Sequence, residues 1–217
     1  MYRTADELIN KGINLEKLHQ VYNIINLGEM VYQDIIAMQS SIFKASYFRQ
    51  ELQRIRRATI YTQFEEGFLT KDFPFECKAL KVNNFGLAVP EISDNNVIYH
   101  IVRTKEKGIL PDSSKYRKEK ALLNNFPSKQ MMIEGMLEPR TISEKYYALI
   151  TYGGEQKIEF VNLVIPDYNF SEVVAMKDLT DMNRMFINKT IETDKNMTER
   201  RMKLKEEVLK KIRVEGV

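Results

Sequence analysis

The sequence predicts an α+β fold with a helical N-terminal third, a small and mostly antiparallel sheet with hairpins, and a C-terminal amphipathic helix. Three observations predict it. Apolar residues recur at helical spacing over residues 14–65. Alternating apolar runs separated by turn signals occupy the middle of the chain, and a helical period returns near the C-terminus. Strands do not alternate regularly with long helices, so we do not expect a doubly wound parallel sheet.

The first elements are two helices with recognisable starts. Thr4 stands three residues before Glu7, which is the spacing of a capping box, and Gly12 is placed where a helix would end. We therefore expect a short helix over residues 5–11. Asn14 can cap the helix that follows.

The long helical period after Asn14 contains no proline and ends at Gly67. It predicts one kinked helix or two consecutive long helices over residues 14–65. Gly28 inside this run is either a break or a tolerated interior glycine, which costs about 1 kcal/mol relative to alanine.

The middle of the chain predicts strands and short helices. Residues 97–102 alternate as in a strand, and residues 87–89 form a short run that Pro90 should end or restrict to a sheet edge. Two apolar runs, near 145–152 and 157–165, are joined by a Gly-Gly pair and predict a hairpin. The segments "KYRKEKALLNNF" and "SKQMMIEGML" predict short helices separated by a proline.

The C-terminal part predicts one more helix. Residues 170–194 are ambiguous, whereas apolar residues on one face from residue 195 to about residue 213 indicate an amphipathic helix. The predicted organisation is a helical segment over 1–66, an α+β region over 67–194 and a basic helix over 195–217. We expect these three parts to form one compact domain.

Composition narrows the class of protein. The chain has 217 residues, 43% of them hydrophobic, which is enough for a core, and its single cysteine allows no internal disulfide. No apolar run is long enough for a transmembrane helix, and the N-terminus does not resemble a secretory signal. We therefore expect a cytoplasmic protein that does not bind membranes. The preference for Lys, Ile, Asn and Tyr suggests a bacterial or phage source.

Positive charge is concentrated in residues 44–57, 103–120 and 195–213. Arginines on a helix flank can contact phosphates, so nucleic-acid binding is one hypothesis. Arg49 and Arg56 each follow an apolar position and should flank the buried face, and Arg54 and Arg57 should be surface neighbours. The residues predicted to bind nucleic acid are Arg49, Arg54, Arg56, Arg57, Arg200, Arg201 and Lys203.

Two Glu-x-Lys triplets raise the hypothesis of a metal-dependent nuclease, which needs converging carboxylates and a lysine beside the attacking water. One is Glu76-Cys77-Lys78, with Asp72 as the second acid. The other is Glu155-Gln156-Lys157, whose preceding strand contains no acid. Ordinary solvated strand or turn residues also explain both triplets.

Other sites lack support in the sequence. Two histidines and one cysteine give no zinc-ligand spacing, and no nucleophile stands beside an evident base. Neither phosphate-binding glycine motif is present. We therefore expect no resident metal and no cofactor.

The leading interpretation is a non-enzymatic intracellular binding protein, of the type of a phage or mobile-element regulator or inhibitor that acts through a protein partner. The amphipathic helices also suit self-association into a homo-oligomer. Nucleic-acid binding through basic helices and a nuclease using a Glu-x-Lys site are the alternatives.

Overall fold

The structure is a computed structural model. It describes residues 2–38, 43, 45–82, 88–126, 145–180, 202 and 206. Helices and strands are both present, so the α+β class is confirmed. The helices are α1 (Ala5–Glu7), which continues as a π-helix (Leu8–Gly12), then α2 (Leu15–Met38), α3 (Arg49–Thr62) and α4 (Lys115–Ala121). The strands are β1 (Glu76–Lys81), β2 (Ala88–Ser93), β3 (Val97–Arg103), β4 (Tyr146–Gly153), β5 (Phe160–Pro166) and β6 (Val173–Asp178).

The chain divides into two compact units. The first comprises Met1–Leu18 and Pro74–Thr180 and contains the sheet. The described part of the second lies within His19–Phe73, together with Met202 and Glu206. The predicted helix over 195–213 and the predicted helix in "SKQMMIEGML" lie outside the described residues, apart from Met202 and Glu206.

The six strands lie side by side in chain order. Every neighbouring pair is antiparallel except β3 and β4, which are parallel. The prediction of a mostly antiparallel sheet is confirmed by these strand directions. The one parallel pair needs a crossover connection, and the connection from residue 104 to residue 145 contains α4.

The centre of the sheet is buried on both faces. Every residue of β4 and β5 is buried, which explains their nearly continuous apolar sequences. One face packs against α4: Ala121 joins Val102, Leu149 and Val164 in one apolar cluster. We call this face, which also carries Tyr147, the α4 face.

Asn124, just after α4, fixes the connection to the sheet. Its buried side-chain amide donates to the carbonyl oxygens of Tyr147 at 2.8 Å and Pro166 at 2.9 Å. Its oxygen accepts from the Tyr147 N–H at 2.9 Å. The amide thus satisfies backbone groups of β4 and β5 just beyond Leu149 and Val164, where the antiparallel pairing of these two strands ends.

The N-terminal caps form as the sequence predicts. Thr4 accepts a hydrogen bond from the Glu7 N–H at 3.1 Å, and Asn14 accepts from the Lys17 N–H at 3.1 Å. Gly12 ends the first helical segment, although its last turn is a π-helix rather than an α-helix.

The predicted helical period becomes the two helices α2 and α3, which belong to the second unit except for residues 15–18 of α2. Gly28 is an interior residue of α2, where a Cβ would lie 2.5 Å from Cα of Ile60 in α3. Glycine at this position therefore permits close approach of two backbones.

Pro90 lies inside β2, where it pairs with β1 but not with β3, so the predicted restriction to an edge holds and the predicted end of the strand does not. One strand boundary differs from the sequence prediction. The second strand of the predicted hairpin begins at Phe160 rather than at residue 157, because residues 154–159 form a longer connection.

Candidate functional site

β6 is the outermost described strand at one end of the sheet, and it is bonded only to β5. The register shifts at Ile165 and Pro166, which leaves Val174 in a bulge. Val174 and Met176 are 41% and 42% exposed, although both are large and apolar. β6 therefore presents apolar side chains beside backbone groups that have no described strand partner on their outer side.

Two further exposed apolar side chains lie beside this strand. Tyr168 is in the turn before β6, and Ile109 is in the loop after β3. That loop reaches β6, since Lys107 bonds to Asp178 and a Cβ on Gly108 would lie 3.6 Å from the Met176 sulfur. We call β6 together with Ile109, Tyr168, Val174 and Met176 the β6 surface.

The opposite edge of the sheet has a different character. β1 also pairs on one described side only, but its exposed residues include Glu76, Lys78 and Lys81. Charged side chains, lysine above all, protect an edge from pairing with another chain. Only the β6 edge therefore combines a free side with apolar side chains among the described strands.

The sequence did not reveal a group of ionisable side chains beneath α4. His100 is fully buried; its Nδ1 lies 2.8 Å from the Tyr147 hydroxyl and its Nε2 lies 2.9 Å from Oε2 of Glu91. Lys120 of α4 contacts the same Glu91 oxygen at 3.2 Å. Both ring nitrogens are satisfied when Tyr147 donates to Nδ1 and Nε2–H donates to Glu91. We call these four residues the His100 network.

The surroundings set the charge of each member. The hydrogen bond from His100, aided by Lys120 and opposed by burial, lowers the pKa of Glu91 to about 2. Burial lowers the pKa of His100 despite the nearby Glu91 carboxylate. Burial also raises the pKa of Tyr147 well above its usual value. The network therefore holds an ionised Glu91, a neutral His100 and a neutral Tyr147 at neutral pH.

This connectivity is that of an acid–base relay with a phenol in the place of a nucleophilic hydroxyl. The His100 ring and the Tyr147 side chain are, however, both closed to solvent. Its clear physical role is to join β2, β3, β4 and α4 through satisfied buried bonds.

The arginines of α3 that were predicted to bind nucleic acid differ in their exposure to solvent. Arg56 is 1% exposed, not at the flank: its Nε and Nη2 donate to the two carboxylate oxygens of Glu29 at 2.6 and 3.0 Å. It is therefore closed to a phosphate backbone, because the helix turns this position toward α2. Arg54 is 72% exposed and pairs with Glu51, and Arg57 is half-buried.

The side chains of the other residues predicted to bind nucleic acid are not described by the structure. Arg49 is the first residue of α3, and its side chain lies outside the described part. Arg200, Arg201 and Lys203 also lie outside the described residues. Their contact with nucleic acid stays a prediction.

The two Glu-x-Lys triplets occupy exposed positions. Glu76 and Lys78 are on β1, and Ser93, opposite Glu76, donates to it at 3.5 Å while accepting from Lys145 at 3.2 Å. Asp72 lies in an exposed turn of the other unit.

Glu155 and Lys157 lie in the exposed connection between β4 and β5, not on a strand face. Nowhere in the described ranges do three His, Cys, Asp or Glu side chains form a group able to hold a metal ion. The nuclease hypothesis stays a prediction.

Comparisons with family models, curated proteins and solved structures found no match to this chain. Among the described helices, none is both long and apolar enough to cross a membrane.

Proposed function

We propose that this protein is a binding protein that recognises another protein through the β6 surface. The observation that carries the proposal is that no described strand pairs with the outer side of β6, where Val174 and Met176 are exposed. An extended segment of a partner can add a strand to such an edge. Backbone hydrogen bonds then supply affinity, and the exposed apolar side chains supply specificity.

Charge around the β6 surface indicates the chemistry of the partner segment. Lys177 on β6 and Lys105 in the loop after β3 are exposed and take part in no described ion pair. A segment that alternates apolar and acidic residues would place its apolar side chains on Met176 and Val174 and its carboxylates near these lysines. We propose a partner of this composition.

The burial of His100 and Tyr147 favours regulation or inhibition over catalysis at the His100 network. Both of these side chains are closed to solvent, and Glu91 and Lys120 of the network are only partly exposed. A regulator needs only an accessible complementary surface.

The test uses a displayed library of short random peptides selected against the full chain. We expect selected peptides to alternate apolar and acidic residues and to slow amide hydrogen exchange in residues 173–178. Met176→Lys should weaken their binding about tenfold or more, because a lysine cannot be buried cheaply against an apolar partner.

The matched control is Ala79→Lys, which places the same charge at an exposed position on the opposite edge strand β1. This variant should bind the selected peptides like the unaltered chain. The proposal fails if Met176→Lys binds equally well, or if the peptides protect residues 76–81 instead of residues 173–178.

Nucleic-acid binding is the second candidate, favoured by the exposed Lys115 and Lys118 on α4. It predicts affinity for a DNA duplex that falls steeply as salt increases. Strong salt-dependent binding to DNA that Met176→Lys leaves unchanged would favour this candidate over the β6 surface.

A further inference from the structure

One cross-strand pair holds three buried polar atoms that have no hydrogen-bond partner among the described residues. These atoms are Oγ1 of Thr151 and both Oδ1 and Nδ2 of Asn162. The two residues are fully buried and lie directly opposite each other on β4 and β5. By the alternation of strands they share the α4 face with Leu149 and Val164.

Such a group of unpaired atoms is costly. A buried polar atom without a partner loses its hydration and gains nothing in return. Native interiors satisfy nearly all such atoms, either with protein groups or with ordered water. Directly opposed side chains in an antiparallel pair have Cβ atoms about 4.5–5.5 Å apart, so one small molecule can reach both.

The donors and acceptors define what fits. The threonine hydroxyl donates and accepts, the amide oxygen accepts and the amide nitrogen donates. Asp178, opposite Asn162 on β6, is already bonded to Lys107 and to the Thr180 N–H, so no unbalanced charge is available to attract an ion. The complementary molecule is neutral and both donates and accepts hydrogen bonds.

The neighbouring packing limits its size. Gly153 lies two residues from Thr151, and a Cβ there would lie 2.5 Å from the Phe160 ring and 2.5 Å from the Thr104 carbonyl oxygen. Phe160 in turn lies two residues from Asn162. Only a very small molecule suits a site flanked by such close contacts.

We infer that an ordered internal water molecule bridges the Thr151 hydroxyl and the Asn162 amide. This water completes the hydrogen bonding of the pair and joins β4 to β5 on the α4 face through their side chains. An internal water with two to four polar partners is a regular part of native interiors.

The sign of a mutational effect tests the inference. Thr151→Val keeps the shape and removes the hydroxyl. If water bridges the pair, the variant should lower the folding equilibrium constant about fivefold in urea unfolding. If the hydroxyl is truly unpaired, its removal should raise that constant. Thr151→Ser, which keeps the hydroxyl, is the control for the bridging bond.

A second experiment detects the water molecule directly by NMR in the unaltered protein. In the full chain labelled with ¹⁵N, the Asn162 side-chain amide protons should show a nuclear Overhauser effect to a long-lived water. Thr151→Ser should retain this signal, and Thr151→Val should weaken or lose it. Absence of the signal in the unaltered chain, or a direct hydrogen bond between Thr151 and Asn162, would overturn the inference.

Discussion

The carboxylate of Glu29 accepts three hydrogen bonds inside the second unit, two from Arg56 and one from Gln33 at 2.8 Å. The Arg56 guanidinium also lies 5.7 Å from the centre of the Tyr32 ring. Removing two charged groups from water costs free energy, and only the interaction between them offsets that cost. Each charge therefore depends on the other for its stability in the interior. Arg56 therefore stabilises the contact between α2 and α3.

Arg56→Met should destabilise the protein strongly, because it leaves the Glu29 carboxylate buried without a counter-charge. We expect a loss of about 3–5 kcal/mol in the free energy of unfolding. Arg54→Met makes the same change at an exposed position of α3 and should cost at most about 1 kcal/mol. Urea unfolding of both variants measures the difference, and equal effects would contradict the importance of the buried pair.

Among the elements, those with a clear local pattern could be predicted from the sequence. The caps at Thr4 and Asn14, strand β3 and the helix in "KYRKEKALLNNF" follow from local residue preferences, and all of them form. The start of β5 could not be read from the Gly-Gly pair, because Gly153 is the last residue of β4 and the connection, with Gly154 at φ +135°, continues to residue 159.

The groupings of side chains were harder to predict, because they depend on register. Glu91 lies opposite His100 in the β2–β3 hairpin, so the turn-forming residues 93–96 ("SDNN") in the sequence could have placed these two members of the His100 network together. Tyr147 joins only through the parallel pairing with β3, which no local pattern reveals. Arg56 likewise lies one residue after an apolar position, and only the packing of α2 on α3 decides that it is buried.

Gly28→Ala tests how closely α2 and α3 approach. Alanine favours a helix by about 1 kcal/mol over glycine, so local preference alone predicts stabilisation. Here the new Cβ would lie 2.5 Å from the Ile60 Cα, so the helices must separate. We therefore expect a lower melting temperature.

Gly67→Ala is the matched control for this prediction, since a Cβ at that position meets nothing within 4 Å. It should leave the melting temperature almost unchanged. A stabilised Gly28→Ala variant would show that α2 and α3 do not pack as closely as described.

For the molecule as a whole, acid should reduce the free energy of unfolding in two steps, one beginning below about pH 6.5 and one between about pH 4.5 and 2. The folded state lowers the pKa of His100 from 6.5, so its contribution is lost as pH falls below about 6.5, where the unfolded chain takes up a proton first. The pKa of Glu91 falls from 4.5 to about 2, so its contribution is lost between those values. Both effects act in the same direction.

Urea unfolding at a series of pH values from neutral to acid measures this loss. Hydrogen bonds that lower the pKa of Asp167 and Asp178 against the effect of burial add to the fall at low pH. Glu91→Gln should keep the loss that begins below about pH 6.5 and reduce the part between pH 4.5 and 2. Constant stability from pH 7 to pH 5 would contradict the part assigned to His100.

The parallel joint between β3 and β4 has a consequence for how the chain folds. On each side of it, three strands follow one another with only a few residues between them, so each half of the sheet can nucleate from contacts that are near in sequence. The joint itself must wait until the long connection between residues 104 and 145 closes, which costs chain entropy before any contact repays it. Closure of this joint should set the folding rate of the first unit.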